Sequence, residues 1–137
     1  MLDTNSEGDA RITERLGAER IIWMTTVRAD GQPQTSPVWY FWDGEDFQIY
    51  SLDSARARNV AGNPKVSLHL NDDGQGDDVL TMDGEATIDP TLPSAGNNEP
   101  YRRRYDSFVI AYGWTWDWYE AKYSVPIRVR PTKIRHW

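Results

Sequence analysis

The sequence predicts a mainly β protein whose strands close into a barrel or pack as a sandwich, with helices at the flanks. Short runs rich in β-branched and aromatic residues alternate with glycine-containing turns, a pattern typical of antiparallel strands. Hairpin-connected strands come first, a helical excursion follows, and one strand returns at the end. Such a set must hide its edges, and closure or face-to-face packing does so. The six predicted strands cover residues 19–28, 35–42, 47–52, 65–71, 78–88 and 125–137.

The chain begins with a polar tail and a helix. Residues 1–8 are predicted to form a flexible tail. Residues 9–18 fit a short helix, because Asp9 can cap it and Ile12 and Leu16 lie four positions apart. The 137 residues are predicted to form one domain, because their number suits one core and no linker divides them.

Three strands joined by two tight turns follow the helix. Residues 19–28 are apolar and β-branched, which predicts a buried strand. Asp-Gly pairs at 30–31 and 43–44 are strong hairpin signals on either side of residues 35–42. Pro37 cannot donate a ladder hydrogen bond, so its strand is predicted to lie at an edge or to contain a bulge.

The second half of the chain combines strands with two helices. The Asp-Gly pair at 83–84 predicts a bulge or bend in the fifth strand. Aromatic spacing predicts a helix over 101–112, and a second helix over 115–123 is predicted to be capped by Thr115. The final strand is expected to be interrupted at Pro131.

Composition excludes several classes of function. The net charge of -6 opposes binding to nucleic acid or to an anionic membrane. The absence of cysteine excludes disulfides and thiol chemistry, and two histidines give no zinc spacing. The N-terminus has no signal-peptide core, and no run of 18 apolar residues occurs. We therefore expect a cytoplasmic protein without a metal site, a nucleic-acid partner or a membrane partner.

The aromatic content is high, with seven Trp and seven Tyr. These side chains either pack the core and surface of a β-rich fold, or they form a subunit interface or a pocket for a flat ligand. Composition alone leaves both alternatives open.

The segment SLDSARARNVAGNP, residues 51–64, connects the third strand to a helix that starts near Ser54. The first turn of a helix exposes N–H groups that attract an anion. Ser54 can cap this helix or donate to a phosphate oxygen, and Arg56 and Arg58 add positive charge that suits phosphate. The segment is chemically a phosphate cradle. The alternative is a solvated helix whose arginines pair with nearby acids.

Four sequence features, taken in order, resemble the pyridoxamine 5'-phosphate oxidase-like flavin and deazaflavin proteins, the split β-barrel oxidoreductases. They are TTVRADGQPQTSPVW, FWDGEDFQIYS, the S-x-R-x-R-N-V-x-x-N-P segment followed by KVSLHL, and the ending YSVPIRVRPTKIRHW. Together they span roughly residues 20–137. The ending most resembles an actinobacterial subgroup associated with the deazaflavin coenzyme F420.

The resemblance implies a six-stranded split β-barrel of the FMN-binding type, and it implies cofactor-binding positions. The segment after the third strand and the end of that strand would hold the cofactor phosphate, which indicates Ser51, Ser54, Arg56, Arg58 and Asn59. The second strand would run along the cofactor ring, which indicates Ser36, Pro37, Val38 and Trp39. Proteins of this family are typically homodimers with cofactor sites at the interface, so a homodimer is expected. No catalytic side chain is assigned.

The function implied by the resemblance is that of an F420-dependent oxidoreductase. It would transfer a hydride between reduced deazaflavin and a flat conjugated acceptor such as a quinone or enone. Arg56 stands where many relatives carry lysine, which leaves an FMN-dependent oxidoreductase as the alternative. A non-catalytic module that holds a cofactor or haem is the alternative of another class.

Basic side chains cluster in two other places. The last eleven residues contain no acid and four basic side chains: Arg128, Arg130, Lys133 and Arg135. They either balance acids on an outer strand face or form a groove for an anionic cofactor tail. The arginine run at 102–104 is predicted to be a solvated helix face.

Overall fold

A computed structural model describes residues 7–137 as seven antiparallel strands in one sheet, with four α-helices and a short 3₁₀ turn. The strands are β1 (Ile22–Val27), β2 (Pro33–Val38), β3 (Phe41–Trp42), β4 (Phe47–Ser51), β5 (Lys65–His69), β6 (Leu80–Ile88) and β7 (Val125–His136). The helices are α1 (Glu7–Ala18), α2 (Ala55–Gly62), α3 (Glu99–Ala111) and α4 (Trp116–Lys122). No helix within the described range is long and apolar enough to cross a membrane.

The sheet curls into a split barrel. Its strand order is β2-β1-β5-β6-β7-β4-β3, so β2 and β3 lie at opposite edges. Yet β2 ends at Val38 and β3 begins at Phe41, a separation that the chain spans in at most about 11 Å. The two edges must therefore approach each other without hydrogen bonding. This arrangement confirms the predicted split β-barrel.

The structure contains seven strands because the predicted strand over 35–42 is divided in two. The chain crosses between the two sheet edges at Trp39 and Tyr40. There the Tyr40 N–H donates to the Tyr105 hydroxyl of α3 (2.8 Å), and the Tyr40 carbonyl lies 2.9 Å from the same hydroxyl. The Tyr40 backbone is thus satisfied by a side chain instead of a neighbouring strand. The prediction of six strands was wrong at this point.

Three local predictions also need correction. α1 begins at Glu7, so Asp9 lies in its first turn and does not cap it. Of the predicted tail over 1–8, the last two residues are helical, and the first six lie outside the described residues. β7 continues through Pro131, so the predicted interruption there was wrong. At the predicted bend over 83–84, the register between β6 and β7 shifts, and β7 contains one extra residue.

Most other predicted turns and caps are confirmed. Antiparallel hairpins join β1 to β2 and β3 to β4, and each has a glycine with positive φ, Gly31 at 87° and Gly44 at 99°. β2 is an edge strand, as Pro37 predicts. The Thr115 side chain accepts a hydrogen bond from the Trp118 N–H at the start of α4.

Two hydrophobic clusters hold the molecule together. The first fills the barrel and is mainly aliphatic, with Leu16, Ile22, Leu68 and Ile127 fully buried. The second is aromatic and packs α3 and α4 against the outer side of the sheet, with Tyr101 and Tyr105 fully buried. Much of the aromatic content is therefore packing outside the barrel, and the candidate site opens beside this second cluster.

Candidate functional site

Arg56 is the centre of the candidate site. Its partly buried guanidinium donates to two hydroxyls, from Nη2 to Ser36 Oγ (2.6 Å) and from Nη1 to Ser51 Oγ (3.0 Å). Ser51 is fully buried and in turn donates to the Leu52 carbonyl (2.8 Å). No carboxylate of the described residues lies within ion-pair distance of Arg56. Two predicted site residues, on β2 and β4, therefore orient a cation that lacks a counter-ion.

Burial lowers the pKa of the Arg56 guanidinium from its ordinary value. Arginine nevertheless stays protonated at neutral pH, because its reference pKa is so high. A protonated guanidinium that is partly removed from water and unpaired favours an anionic ligand.

The N-terminus of α2 adds to this anion-binding character. Ser54 occupies the N-cap position with an extended backbone (φ -136°, ψ -174°), and its side chain makes no capping hydrogen bond. The serine hydroxyl and the first-turn N–H groups are thus available to a ligand. A cavity of about 240 Å³ opens here between β1, β2 and α2. Its lining includes Ser36, Ser54 and Arg56.

A larger cavity of about 360 Å³ lies on the other side of Arg56, which lines both cavities. Its remaining lining residues are Arg20, Ile21, Pro37, Val38, Trp39, Tyr50, Leu52, Tyr112, Trp114, Tyr119 and Tyr123. Three of the four predicted ring-binding residues therefore line this space, and the fourth, Ser36, holds the arginine between the cavities.

One wall of the larger cavity is built from nearly parallel rings. Trp39 stacks on Tyr105 with ring centroids 4.4 Å apart and an interplanar angle of 2°. It also stacks on Tyr119 at 5.4 Å, and Tyr119 stacks on Tyr123 at 4.5 Å. Because these rings are nearly parallel, their faces and edges point in the same directions. Such a wall suits a flat conjugated ligand.

The other two predicted cradle residues lie elsewhere on α2. Asn59 is nearly buried and donates to Thr26 Oγ1 (3.0 Å) and Gln34 Oε1 (2.8 Å), so it ties α2 to the barrel. Arg58 is exposed, has no ion-pair or hydrogen-bond partner for its side chain among residues 7–137, and lines a separate depression of about 610 Å³ that also includes Arg28.

Sequence reasoning missed Arg20, a second cation in the larger cavity. It lies two residues before β1, in no recognisable motif. Its guanidinium carbon lies 3.7 Å from the centre of the Phe108 ring. Only the fold brings α3 over this position, so the sequence carries no signal for it.

The other basic clusters have ordinary structural roles. Arg128 and Arg130 pair with Asp46 at 3.3 and 2.9 Å, and Arg135 pairs with Asp83 at 2.8 Å. The structure thus favours acid balancing over an anion groove on β7. Of the arginine run at 102–104, Arg102 and Arg103 are exposed and fit the predicted solvated face, where Arg103 pairs with Glu99.

Arg102 and Arg104 donate to backbone carbonyls, of Gly96 (3.2 Å) and of Gly17 (2.8 Å). Both also lie over aromatic rings, but only Arg104 is half-buried, so the prediction of solvation was wrong for Arg104 alone.

A family model for pyridoxamine 5'-phosphate oxidase matches residues 9–137, which is nearly the whole chain. The chain belongs to the pyridoxamine 5'-phosphate oxidase family. The match covers every strand and every residue of the candidate site. No curated protein shows significant sequence similarity to this family member.

Several solved structures share the fold of this chain. An F420 reductase is 26% identical with a TM-score of 0.67, covering 89% of this chain and 94% of the other. A conserved hypothetical protein from Mycobacterium tuberculosis is 26% identical with a TM-score of 0.71, covering 96% and 84%. A heme storage protein from Vibrio cholerae is 18% identical with a TM-score of 0.66, covering 96% and 95%. Proteins that share this fold thus include both a reductase and a storage protein.

Proposed function

We propose that the protein is an F420-dependent oxidoreductase that reduces a flat conjugated acceptor of the quinone or enone type. The observation that carries this proposal is Arg56, an unpaired cation at the N-terminus of α2 that borders an aromatic-walled cavity. The similarity to an F420 reductase over most of both chains supports the choice of cofactor.

The residues present fit an anionic, flat cofactor. Arg56, the Ser54 hydroxyl and the first turn of α2 would hold its phosphate, and Ser36 and Ser51 keep the guanidinium in place. Val38 and Trp39 would lie along its ring system, and the stacked tyrosines would exclude water from the acceptor. When bound, reduced F420 supplies a hydride, and a proton from solvent or a nearby donor completes the reduction of the acceptor.

Arg58 provides the means to distinguish F420 from FMN. The tail of F420 continues beyond its phosphate into lactyl-glutamates, whereas FMN ends at its phosphate. Arg58 lies two residues after Arg56 on α2, about 200° around the helix, and is exposed and without a side-chain partner among the described residues. An anionic tail leaving the cradle would meet this cation, and a terminal phosphate would not reach it.

The first experiment is a titration of the purified apoprotein with F420 and with FMN at fixed salt, read by fluorescence. We expect micromolar or tighter binding of F420 and weaker binding of FMN. In Arg58→Met, F420 affinity should fall about three- to tenfold, the size of one exposed charge-assisted contact, while FMN affinity stays unchanged.

The outcomes separate the candidates. A preference for FMN that is insensitive to Arg58→Met would make the protein an FMN oxidoreductase. Tight F420 binding without turnover of any quinone or enone would indicate a non-catalytic binding module. Arg103→Met is the matched control, because it removes an exposed arginine on α3 that pairs only with Glu99.

We further propose that the functional unit is a homodimer with the site near the interface. Three large side chains on or beside α3 and α4 are exposed: Ile110 (67%), Tyr112 (49%) and Trp118 (41%). Tyr112 also lines the larger cavity, so a partner that covered these side chains would also enclose the site.

A further inference from the structure

Arg20 is held in the larger cavity by an aromatic cage. Its guanidinium carbon lies 3.7 Å from the ring centre of Phe108, 5.5 Å from that of Tyr112 and 5.7 Å from that of Trp39. Stacking on a ring face fixes the plane of the guanidinium but uses none of its N–H donors. The cage therefore positions the side chain while leaving its donor edge to be satisfied by other groups.

The protein supplies too few hydrogen-bond acceptors for the N–H donors of Arg20. Nη2 donates to the Tyr112 hydroxyl, and Nε is buried without any hydrogen-bond partner. Nη1 has no partner among the described residues, and no carboxylate of residues 7–137 pairs with this guanidinium. A partly buried cation in this state has unused hydrogen-bond donors, which favours an anionic ligand.

This shortage is unusual in the molecule. Seven arginines pair with a carboxylate: Arg11, Arg15, Arg28, Arg103, Arg128, Arg130 and Arg135. Arg102 and Arg104 donate to backbone carbonyls. In an acidic chain the remaining three stand out: Arg56 and Arg58, assigned above to the cofactor, and Arg20. Two of the three arginines that bond to neither a carboxylate nor a backbone carbonyl, Arg20 and Arg56, line the larger cavity.

We propose that Arg20 binds a carboxylate of the acceptor, so that the substrates are flat conjugated acceptors that carry a carboxylate. This inference rests on the proposed function, in which Arg56 is already occupied by the cofactor phosphate. Arg20 and Arg56 line the same cavity, which therefore offers one cation to the cofactor and a second to the substrate. The planar fork of Arg20 matches a carboxylate in a way that a single ammonium does not.

Tyr112 is the partner that a carboxylate would displace or share. It is half-exposed at the end of α3, and its hydroxyl is the one side-chain acceptor that Arg20 contacts within the described chain. A phenol oxygen is a weaker acceptor than a carboxylate, so an arriving acid competes favourably for the same donors.

The test is calorimetric titration of protein saturated with oxidised F420, using 2-naphthoate and its methyl ester as probes. We expect the wild type to bind the acid about tenfold more tightly than the ester, the size of one charge-assisted contact. Arg20→Met should abolish this preference and leave F420 affinity within about twofold, since the cofactor cation is separate. Arg20→Lys should retain part of the preference, and Arg103→Met should retain all of it.

The outcomes distinguish this inference from the proposed function. Failure of the wild type to bind F420 overturns both. Normal F420 binding with no acid preference, or with a preference that survives Arg20→Met, overturns the role of Arg20 alone. Equal weakening of acid and ester, with a lower thermal midpoint in Arg20→Met, would show that Arg20 only supports the aromatic cluster and would also overturn it.

Discussion

At the scale of single residues, the candidate site is defined by which cations lack a counter-ion. The motif around Arg56 is visible in the sequence, but a serine-arginine pattern fits a solvated helix equally well. Among residues 7–137, two hydroxyls and no carboxylate surround this guanidinium, so Arg56 is not one of the paired arginines of that alternative. The chemistry of the site therefore depends on the lack of a carboxylate near Arg56 among the described residues.

Replacing Arg56 by methionine should separate binding from stability. Methionine keeps most of the buried volume but removes a charge that is partly desolvated and unpaired, so the apoprotein should be as stable as the wild type or more stable. F420 affinity should fall about 10- to 100-fold, because charge-assisted hydrogen bonds contribute about 1.5–3 kcal/mol. Thermal melts of the apoprotein and a fluorescence titration measure the two effects.

Arg103→Met provides the comparison for this variant, since it removes the same side chain from an exposed ion pair. It should change neither F420 affinity nor the melting temperature by a measurable amount. A marked loss of apoprotein stability in Arg56→Met with unchanged F420 affinity would make Arg56 a structural residue, and the cradle would have to be abandoned.

Local patterns predicted residues that the structure brings together around Arg56, and their role in cofactor binding stays a prediction. Ser36, Pro37, Val38, Trp39 and Arg56 come together because they lie on two segments whose order is conspicuous in the sequence. Arg20 was missed, because two of the three rings of its cage, Phe108 and Tyr112, lie more than eighty residues away along the chain. Such an assembly depends on long-range packing, which no local pattern encodes.

At the scale of elements, the least predictable feature was the division of one strand into β2 and β3. No glycine or other turn signal separates them in the sequence TSPVWYFW. The division depends on the Tyr105 hydroxyl, which binds both backbone groups of Tyr40 from α3. Local propensity predicted the strand, and the curl of the sheet then decided where it ends.

The turn between β3 and β4 is fastened to β7 by a buried carboxylate. Asp46 is 3% exposed, accepts from Arg130 Nε at 2.9 Å and lies 3.3 Å from Arg128 Nη1. The hydrogen bond from Arg130, followed by its charge, holds the pKa of Asp46 below the usual 3.8. This carboxylate is therefore ionised in the folded protein at every pH near neutrality.

The free energy of unfolding should therefore depend on pH through the ionisation of Asp46. Because its pKa is lower in the folded than in the unfolded state, its contribution is present above about pH 4 and is lost as pH falls through the folded pKa. We expect Asp46→Asn to cost about 1–2 kcal/mol at pH 7, a value reduced for the solvent exposure of Arg130, and the deficit to shrink below pH 4. Urea denaturation from pH 7 to pH 2.5 measures both.

Other carboxylates of the protein also have lowered pKa values, so the urea measurement needs a control variant. Hydrogen bonds from Arg11 and His136 lower the pKa of Asp78 to about 2, and hydrogen bonds from Thr91 and Arg128 lower the pKa of Asp89 to about 2. Acid will therefore destabilise the wild type and both variants, Asp46→Asn and Glu45→Gln, through these other carboxylates. Glu45→Gln removes an exposed charge in the same turn, and its free energy of unfolding should follow that of the wild type at each pH. If the stability difference between Asp46→Asn and wild type did not shrink below pH 4, the role given to ionisation of Asp46 would be contradicted.

At the scale of the whole molecule, the barrel separates stability from function. The aliphatic cluster lies inside the sheet, whereas the cations and the stacked rings lie on its outer side under α3 and α4. The site is therefore bounded on one side by the barrel and on the other by two helices that expose large apolar side chains. A monomer leaves this second side in contact with water, which would weaken every charged contact in the cavity.

A homodimer formed through this face should therefore be required for tight cofactor binding. Sedimentation velocity of the wild type should give twice the mass of the monomer. Replacing Ile110 and Trp118 together by glutamate should give monomers, because four like charges would meet where apolar side chains packed. F420 affinity should fall in the same variant, although none of the cradle residues has been changed.

Ile88→Glu provides the matched control, since Ile88 is also an exposed large side chain (41%) but lies at the end of β6 outside the cavity. It should leave both the mass and the F420 affinity unchanged. A wild-type protein that sediments as a monomer and still binds F420 tightly would show that one barrel completes the site. In that case the exposed side chains on α3 and α4 would have to serve a purpose other than enclosing the cofactor.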